Sequence, residues 1–135
     1  MNSLHQEFFL KADRVIGTDI TFYNYLIREG SITKGKDYSR NALHMLDICL
    51  ELGEIYEKTE DEHLKKLLED SLATKYLNAF QVGKLYRRNF SSSINKKFPL
   101  EKSHNKKTKF KSVLFLASPL IYFHTNKILK YFKEV

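Results

Sequence analysis

The spacing of apolar residues changes period once along the chain, and that change divides it. Residues 20–27, Ile-Thr-Phe-Tyr-Asn-Tyr-Leu-Ile, are dense in β-branched and aromatic side chains, the composition of a pleated strand. Residues 14–16, Arg-Val-Ile, form a shorter extended run, and Gly17-Thr18-Asp19 between the two supplies turn chemistry. Together they predict a short β-hairpin. In its longer strand Ile20, Phe22, Asn24 and Leu26 fall on one face, and Thr21, Tyr23, Tyr25 and Ile27 on the other. Both faces are mostly apolar, so both need cover, and an isolated hairpin is marginal in water. The cover comes either from helices of this chain or from a sheet that lies N-terminal to it.

After the loop 28–36 the period becomes 3.6. Ala42, Met45, Leu46, Cys49, Leu52 and Tyr56 make one stripe of a helix over about residues 37–58, with Asp37 as its N-cap. Thr59-Glu60-Asp61-Glu62 then reads as a capping box, Thr59 the cap and Glu62 the third position. It opens a second helix whose apolar face is Leu64, Leu67, Leu68, Leu72, Tyr76, Ala79, Val82 and Tyr86. The short link makes the two an antiparallel helical hairpin. Residues 89–109 hold three consecutive serines, Pro99 and six lysines against the single acid Glu101, the composition of a loop or partly disordered segment. Beyond them residues 111–133 are apolar and helical in pattern, either kinked at Pro119 or split there, with Ser118 as cap and Pro119 in the first turn. The expected organisation is therefore a β-hairpin and phosphate-loop-like region (1–36), a helical hairpin (37–89), a basic linker (90–110) and an amphipathic C-terminal helical segment (111–135). The fold class is mostly α with a short N-terminal β-hairpin.

Composition adds two constraints. A single cysteine among 135 residues excludes an internal disulfide framework and points to a reducing, cytoplasmic compartment. The net charge of +7 is unevenly placed: residues 1–83 carry 10 Lys/Arg against 14 Asp/Glu, residues 84–135 carry 13 against 2. Such polarity implies a polyanion or an anionic membrane for the basic third. The longest apolar run, residues 113–123, contains Ser118 and Pro119 and falls short of the ~20 residues of a spanning helix.

Motif chemistry is sparse. His44 and Asp47 share a helix face, but one pair at that spacing is a weak metal signal. Cys49 sits on an apolar stripe, where burial as a small hydrophobe is expected. Glu51, Glu54 and Glu57 read as a solvated helix face. The segment Tyr25-x-x-Arg28-Glu29-Gly30-Ser31-Ile32-Thr33 offers an arginine fork, backbone N–H groups and hydroxyls, the groups a diphosphate needs. On spacing alone the favoured reading is the commoner one, a strand-to-helix connection bearing a surface arginine.

Residues 11–16, Lys-Ala-Asp-Arg-Val-Ile, followed by residues 21–33, Thr-Phe-Tyr-Asn-Tyr-Leu-Ile-Arg-Glu-Gly-Ser-Ile-Thr, resemble the late part of bacterial family 2 glycosyltransferases. In that family a pattern close to A-x-R-V … Y-x-Y-x-x-R-x-x-S-I follows the catalytic core and leads into C-terminal helices. The resemblance implies the C-terminal helical segment of a GT-A type α/β enzyme, with the nucleotide-binding sheet missing from the chain. It implies sugar transfer from a nucleotide sugar to a surface-polysaccharide or lipid-linked acceptor, with Arg28 and Ser31 near the donor diphosphate. The chain has no Asp-x-Asp motif and no Glu-Asp pair ahead of the Ala12 element to serve as base, and Glu7 lies too close to Ala12 and lacks a partner aspartate. No catalytic residue is assigned, and the chain alone is expected to be inactive, as the product of a truncated or split gene. The divalent cation implied for the full-length enzyme, Mg or Mn, is assigned no ligand here, and the nucleotide sugar is a partner only of the whole.

The basic third supports a second expectation, a stand-alone helical module on an anionic membrane or polyanion. Arg87, Arg88, Lys96, Lys97, Lys106, Lys107, Lys109 and Lys111 are its candidate contacts. A membrane is favoured over nucleic acid because the apolar run 113–123 directly follows the lysines, Lys127, Lys130 and Lys133 lie beyond it, and no nucleic-acid-binding signature is present. The expected location is peripheral, at the inner face of the membrane. The alternative for Leu114, Phe115, Leu120, Tyr122, Phe123, Leu129 and Phe132 is that they pack on the first two helices.

Overall fold

The computed structural model describes Glu7, residues 9–17, Asp19 and residues 38–134. Over these residues the protein is mostly helical and has no strand. The elements in order are α1 (Ser39–Glu57), α2 (Glu62–Gly83), a 3₁₀ turn (Arg88–Ser93), the one-turn α3 (Phe98–Glu101), α4 (Lys106–Ala117) and α5 (Pro119–Glu134). A short helical turn near the N-terminus carries Leu10 against the core, and Lys11 Nζ bonds Glu7 Oε1 at 2.7 Å. Residues 14–17 have no regular structure, and the rest of the expected hairpin lies outside the described residues.

The α1 stripe is the one that periodicity indicates. Ala42, Leu46, Cys49, Leu52 and Tyr56 are all buried, and Met45 is half-buried. The link to α2 is short and the two helices pack along each other as the expected antiparallel pair. Two details differ. The N-cap of α2 is Asp61, not Thr59: its Oδ1 accepts from the His63 and Leu64 N–H groups at 2.9 and 3.0 Å. Thr59 N instead donates to Tyr56 O and closes the end of α1. A carboxylate satisfies two of the first-turn donors and lies at the positive end of the helix dipole, which favours it over the hydroxyl.

The buried face of α2 is also rotated from the expected one. Glu69, Leu72, Ala73, Tyr76, Leu77, Phe80 and Gly83 are buried, whereas Leu64, Leu67 and Val82 are exposed. The reason is that α2 is covered on two sides. α1 lies along one, while α3 and α4 cover another. Tyr76 and Phe80 form the centre of an aromatic column. Phe98 of α3 lies 5.1 Å from Tyr76, Phe115 of α4 lies edge-on to Phe80 at 4.8 Å, and Tyr122 of α5 meets Phe115 edge-on at 5.6 Å. These are the offset and T-shaped arrangements that ring quadrupoles favour.

Residues 90–110, expected as a basic linker, are therefore largely built into the body. Phe98 and Pro99 are buried, and Ile94 and Phe90 are half-buried against the core. Tyr76 Oη accepts from Asn95 N at 2.8 Å, and Asn95 Oδ1 accepts from Lys97 N and Phe98 N. Four apolar anchors outweigh the surrounding lysines, because a lysine can lie on the surface of an ordered segment at little cost. The C-terminal segment divides at Ser118 into two helices rather than one kinked helix. Pro119 opens α5, Tyr122 N bonds Ser118 O at 3.0 Å, and Ser118 N closes α4 on Leu114 O at 2.9 Å.

Two glycines permit the close approaches. A Cβ on Gly83 would collide with Ala42 Cβ where α1 and α2 cross, and a Cβ on Gly53 would come within 3.0 Å of the Phe98 ring edge. Alanine is the better helix former by ~1 kcal/mol, so steric overlap decides the sign. Gly83→Ala should lower unfolding free energy by about 1–3 kcal/mol in urea titrations, and Gly53→Ala by less, since the Phe98 ring can tilt. Gly17→Ala, with nothing within 4 Å of the new carbon, should leave it unchanged.

Candidate functional site

The position of the basic helices is set by one joint. At the end of α3 the chain turns, and Lys102 projects inward with its side chain only 10 % exposed. Its Nζ lies 2.6 Å from Glu57 Oε1 at the end of α1 and 3.3 Å from Glu69 Oε1 on α2. The Glu69 side chain is 8 % exposed, and its other oxygen is 2.6 Å from His104 Nε2. Next to it, Asp70 accepts backbone N–H groups from both His104 (2.6 Å) and Asn105 (2.9 Å). Asn105 then caps α4 through Lys107 N at 2.9 Å. Burial works against the charge on Lys102, but hydrogen bonds to Glu57 and Glu69 outweigh it and raise its pKa above lysine's ordinary value. The same Lys102 hydrogen bond lowers the Glu57 carboxyl.

Leaving this joint, α4 carries Lys106, Lys107, Lys109 and Lys111, all exposed. Phe110 and Val113, 62 % and 49 % exposed, lie on its outer side with Lys106 and Ala117 at helical spacing. On α5 the apolar residues divide. Tyr122 and Phe123 turn inward and are buried, while Leu120, Ile121, Ile128 and Tyr131 are exposed. Ile121, His124, Ile128 and Tyr131 recur at three- and four-residue intervals and form one outward stripe. Lys127 and Lys130 are exposed beside it. Leu129 and Leu114 line a groove of about 190 Å³ between α5 and α4, with Lys107, Phe110 and Lys111 on its rim.

The candidate residues thus fall into groups. Lys107 and Lys111 border the α4–α5 groove, and Lys106 and Lys109 stand beside Phe110 and Val113. Arg87 and Lys96, nine positions apart, line one cleft at the α4–α5 corner. Lys97 is exposed, and Arg88 begins the 3₁₀ turn. Arg28 and Ser31 lie outside the described residues. Lys102, which composition places with the other lysines, is withdrawn to the interior. Its partner Glu69 and the neighbouring Asp70, which holds the backbone of His104 and Asn105, carry no sequence signal beyond being acids within an apolar helical pattern.

A separate apolar groove of about 450 Å³ runs between α1 and α2, lined by Met45, Ile48, Leu52, Ala79 and Val82, with Cys49 at its floor. Burial pushes the Cys49 thiol up to about 11, only partly opposed by Lys75, so it is held as an inert thiol. Burial likewise pushes Tyr76 and Tyr122 up to about 12. His44 and Asp47 are exposed, and no group of three or more His, Cys, Asp and Glu is gathered as metal ligands among the described residues. No described helix is long and apolar enough to cross a membrane.

Comparison with protein-family models, with curated proteins and with solved structures finds no match. The geometry itself defines the class: two packed helix pairs, the second of which presents apolar side chains among lysines.

Replacing one partner of the joint strands the other. Lys102→Met should cost about 3–5 kcal/mol in urea denaturation, and Lys102→Met with Glu69→Leu should recover much of it. The wild-type joint contributes fully between the ordinary carboxylate range and lysine's ordinary pKa of ~10.4; it is lost as pH rises through the raised Lys102 value and as pH falls through the lowered Glu57 value.

Proposed function

We propose that this protein is a peripheral module that rests on an anionic membrane surface through α4 and α5. The observation that carries this reading is the outward apolar set of Phe110, Val113, Leu120, Ile121, Ile128 and Tyr131 interspersed with exposed lysines. A folded chain that leaves this much apolar surface in water gains by covering it. The lysines select the cover: anionic headgroups attract each nearby basic residue by about 1 kcal/mol, and the apolar stripe adds shallow insertion. A second copy of the chain would bring the same lysines against one another. In flotation assays the protein should bind vesicles containing phosphatidylglycerol and not pure phosphatidylcholine, and release on raising salt. Ile121→Glu with Ile128→Glu should weaken binding at least tenfold with no change in melting temperature, because both residues are exposed. Binding that ignores lipid charge would sink the proposal.

A second reading is favoured by the residue pattern of 11–33. In it the chain is the C-terminal segment of a family 2 glycosyltransferase, its N-terminal hairpin abutting a GT-A sheet supplied elsewhere. Arg28 and Ser31 then hold the donor diphosphate, and the divalent metal belongs to the other half. The two readings are compatible, since transfer to a lipid-linked acceptor takes place at a membrane. The 135-residue chain should release no nucleoside diphosphate from nucleotide sugars with Mg or Mn present. Sustained turnover by the chain alone would show that base and nucleotide site are within it.

A further inference from the structure

The corner where α4 meets α5 holds a cleft of about 170 Å³ lined by Arg87, Ser91, Lys96, Ser118 and Leu120 among others. Its lining contains two cations and two serine residues, and neither Asp nor Glu. Arg87 and Lys96 are exposed, and neither forms an ion pair among the described residues. This lack of pairing distinguishes them from Lys102, whose charge is consumed inside the protein.

The cleft is held in place by the core beneath it. Arg87 has an extended backbone at the start of the 3₁₀ turn, and Ile94 has one at its end. The turn between them loops out and back, which brings residues nine positions apart to one cleft. The returning segment is locked on both sides of Lys96: Asn95 N bonds the buried Tyr76 hydroxyl, and Lys97 N bonds the Asn95 side chain. Leu85, fully buried, secures the other approach just before Arg87. The third wall is the Ser118–Pro119 corner, closed by the hydrogen bonds that end α4 and begin α5. Two cations on a fixed frame lose less entropy on meeting an anion than lysines on free chains do.

We propose that this cleft takes the phosphate of a membrane phospholipid, with Arg87 and Lys96 as its charge partners. The inference rests on the membrane reading above and names the group that the surface grips. A guanidinium donates two parallel hydrogen bonds to phosphate oxygens and the ammonium adds a point charge. Leu120, 48 % exposed, lines the same cleft and opens the outward apolar side of α5. A phosphate seated there therefore has its acyl chains next to the side chains that would enter the membrane.

The test compares two charge-matched pairs on vesicles of phosphatidylglycerol in phosphatidylcholine. Arg87→Gln with Lys96→Gln should weaken binding at least tenfold more than Lys127→Gln with Lys130→Gln, both folding as the wild type by circular dichroism. Equal losses would overturn the cleft while leaving the membrane reading intact. A wild-type protein indifferent to lipid charge would overturn that reading, and the cleft's lipid ligand with it. A second arm titrates the ¹⁵N-labelled protein with sn-glycerol 3-phosphate and with inorganic phosphate. Shifts confined to the amides of Arg87, Lys96 and Ser118 with glycerol phosphate support the proposal. Saturable binding of inorganic phosphate by a protein that does not bind vesicles would assign the cleft to free phosphate and overturn the lipid source.

Discussion

The arrangement of this protein depends on the acid pair Glu69–Asp70 on α2. Glu69 holds Lys102 and His104, and Asp70 holds the backbone of His104 and Asn105. Through these bonds one turn of α2 determines where α4 begins. A buried carboxylate is costly unless its lone pairs are satisfied, so the turn from α3 to α4 has one arrangement that meets the need. Glu57 extends the joint to α1 by taking the remaining reach of Lys102. Three helices and a turn are thereby tied by groups that lie at most three residues from one another on each element.

Above the joint, aromatic packing does what ion pairing does below. Tyr76 and Phe80 receive Phe98, Phe115 and Tyr122 in turn, so α3, α4 and α5 all depend on one face of α2. Gly53 lets the Phe98 ring reach α1. With Phe115 and Tyr122 consumed in this way, Phe123 set against Tyr86 and Leu114 half-buried against the core, most of the remaining apolar residues of α4 and α5 are turned outward by helical geometry. The surface offered to lipid follows from which rings the core accepts.

The first helix was legible in the sequence because, among the described residues, α2 is its main partner. One dominant partner yields a single stripe, and Ala42, Leu46, Cys49, Leu52 and Tyr56 show it. The second helix was misread by part of a turn, because an element covered on two sides buries residues that no single stripe contains, Glu69 among them. The division at Ser118–Pro119 was legible as one of two options, since proline's missing N–H and fixed φ are local properties. The joint was not legible: Lys102 resembles its neighbouring lysines in every local respect, and only the acids placed opposite it by folding distinguish it. The same holds for the cleft, whose Arg87 and Lys96 are brought together by the 3₁₀ turn between them.

What the sequence determined by itself is what depends on neighbours along the chain: helical periods, the break at proline, and the concentration of positive charge after residue 83. Tertiary structure decided how that charge is used. One lysine is withdrawn into a buried ion pair, two cations face a common cleft, and others border an apolar face. The physical reason is that a charge acts through what surrounds it, and those surroundings come from residues tens of positions away. Lys102 and Glu69 are 33 positions apart and Lys102 and Glu57 45, separations across which composition and periodicity carry no information about contact.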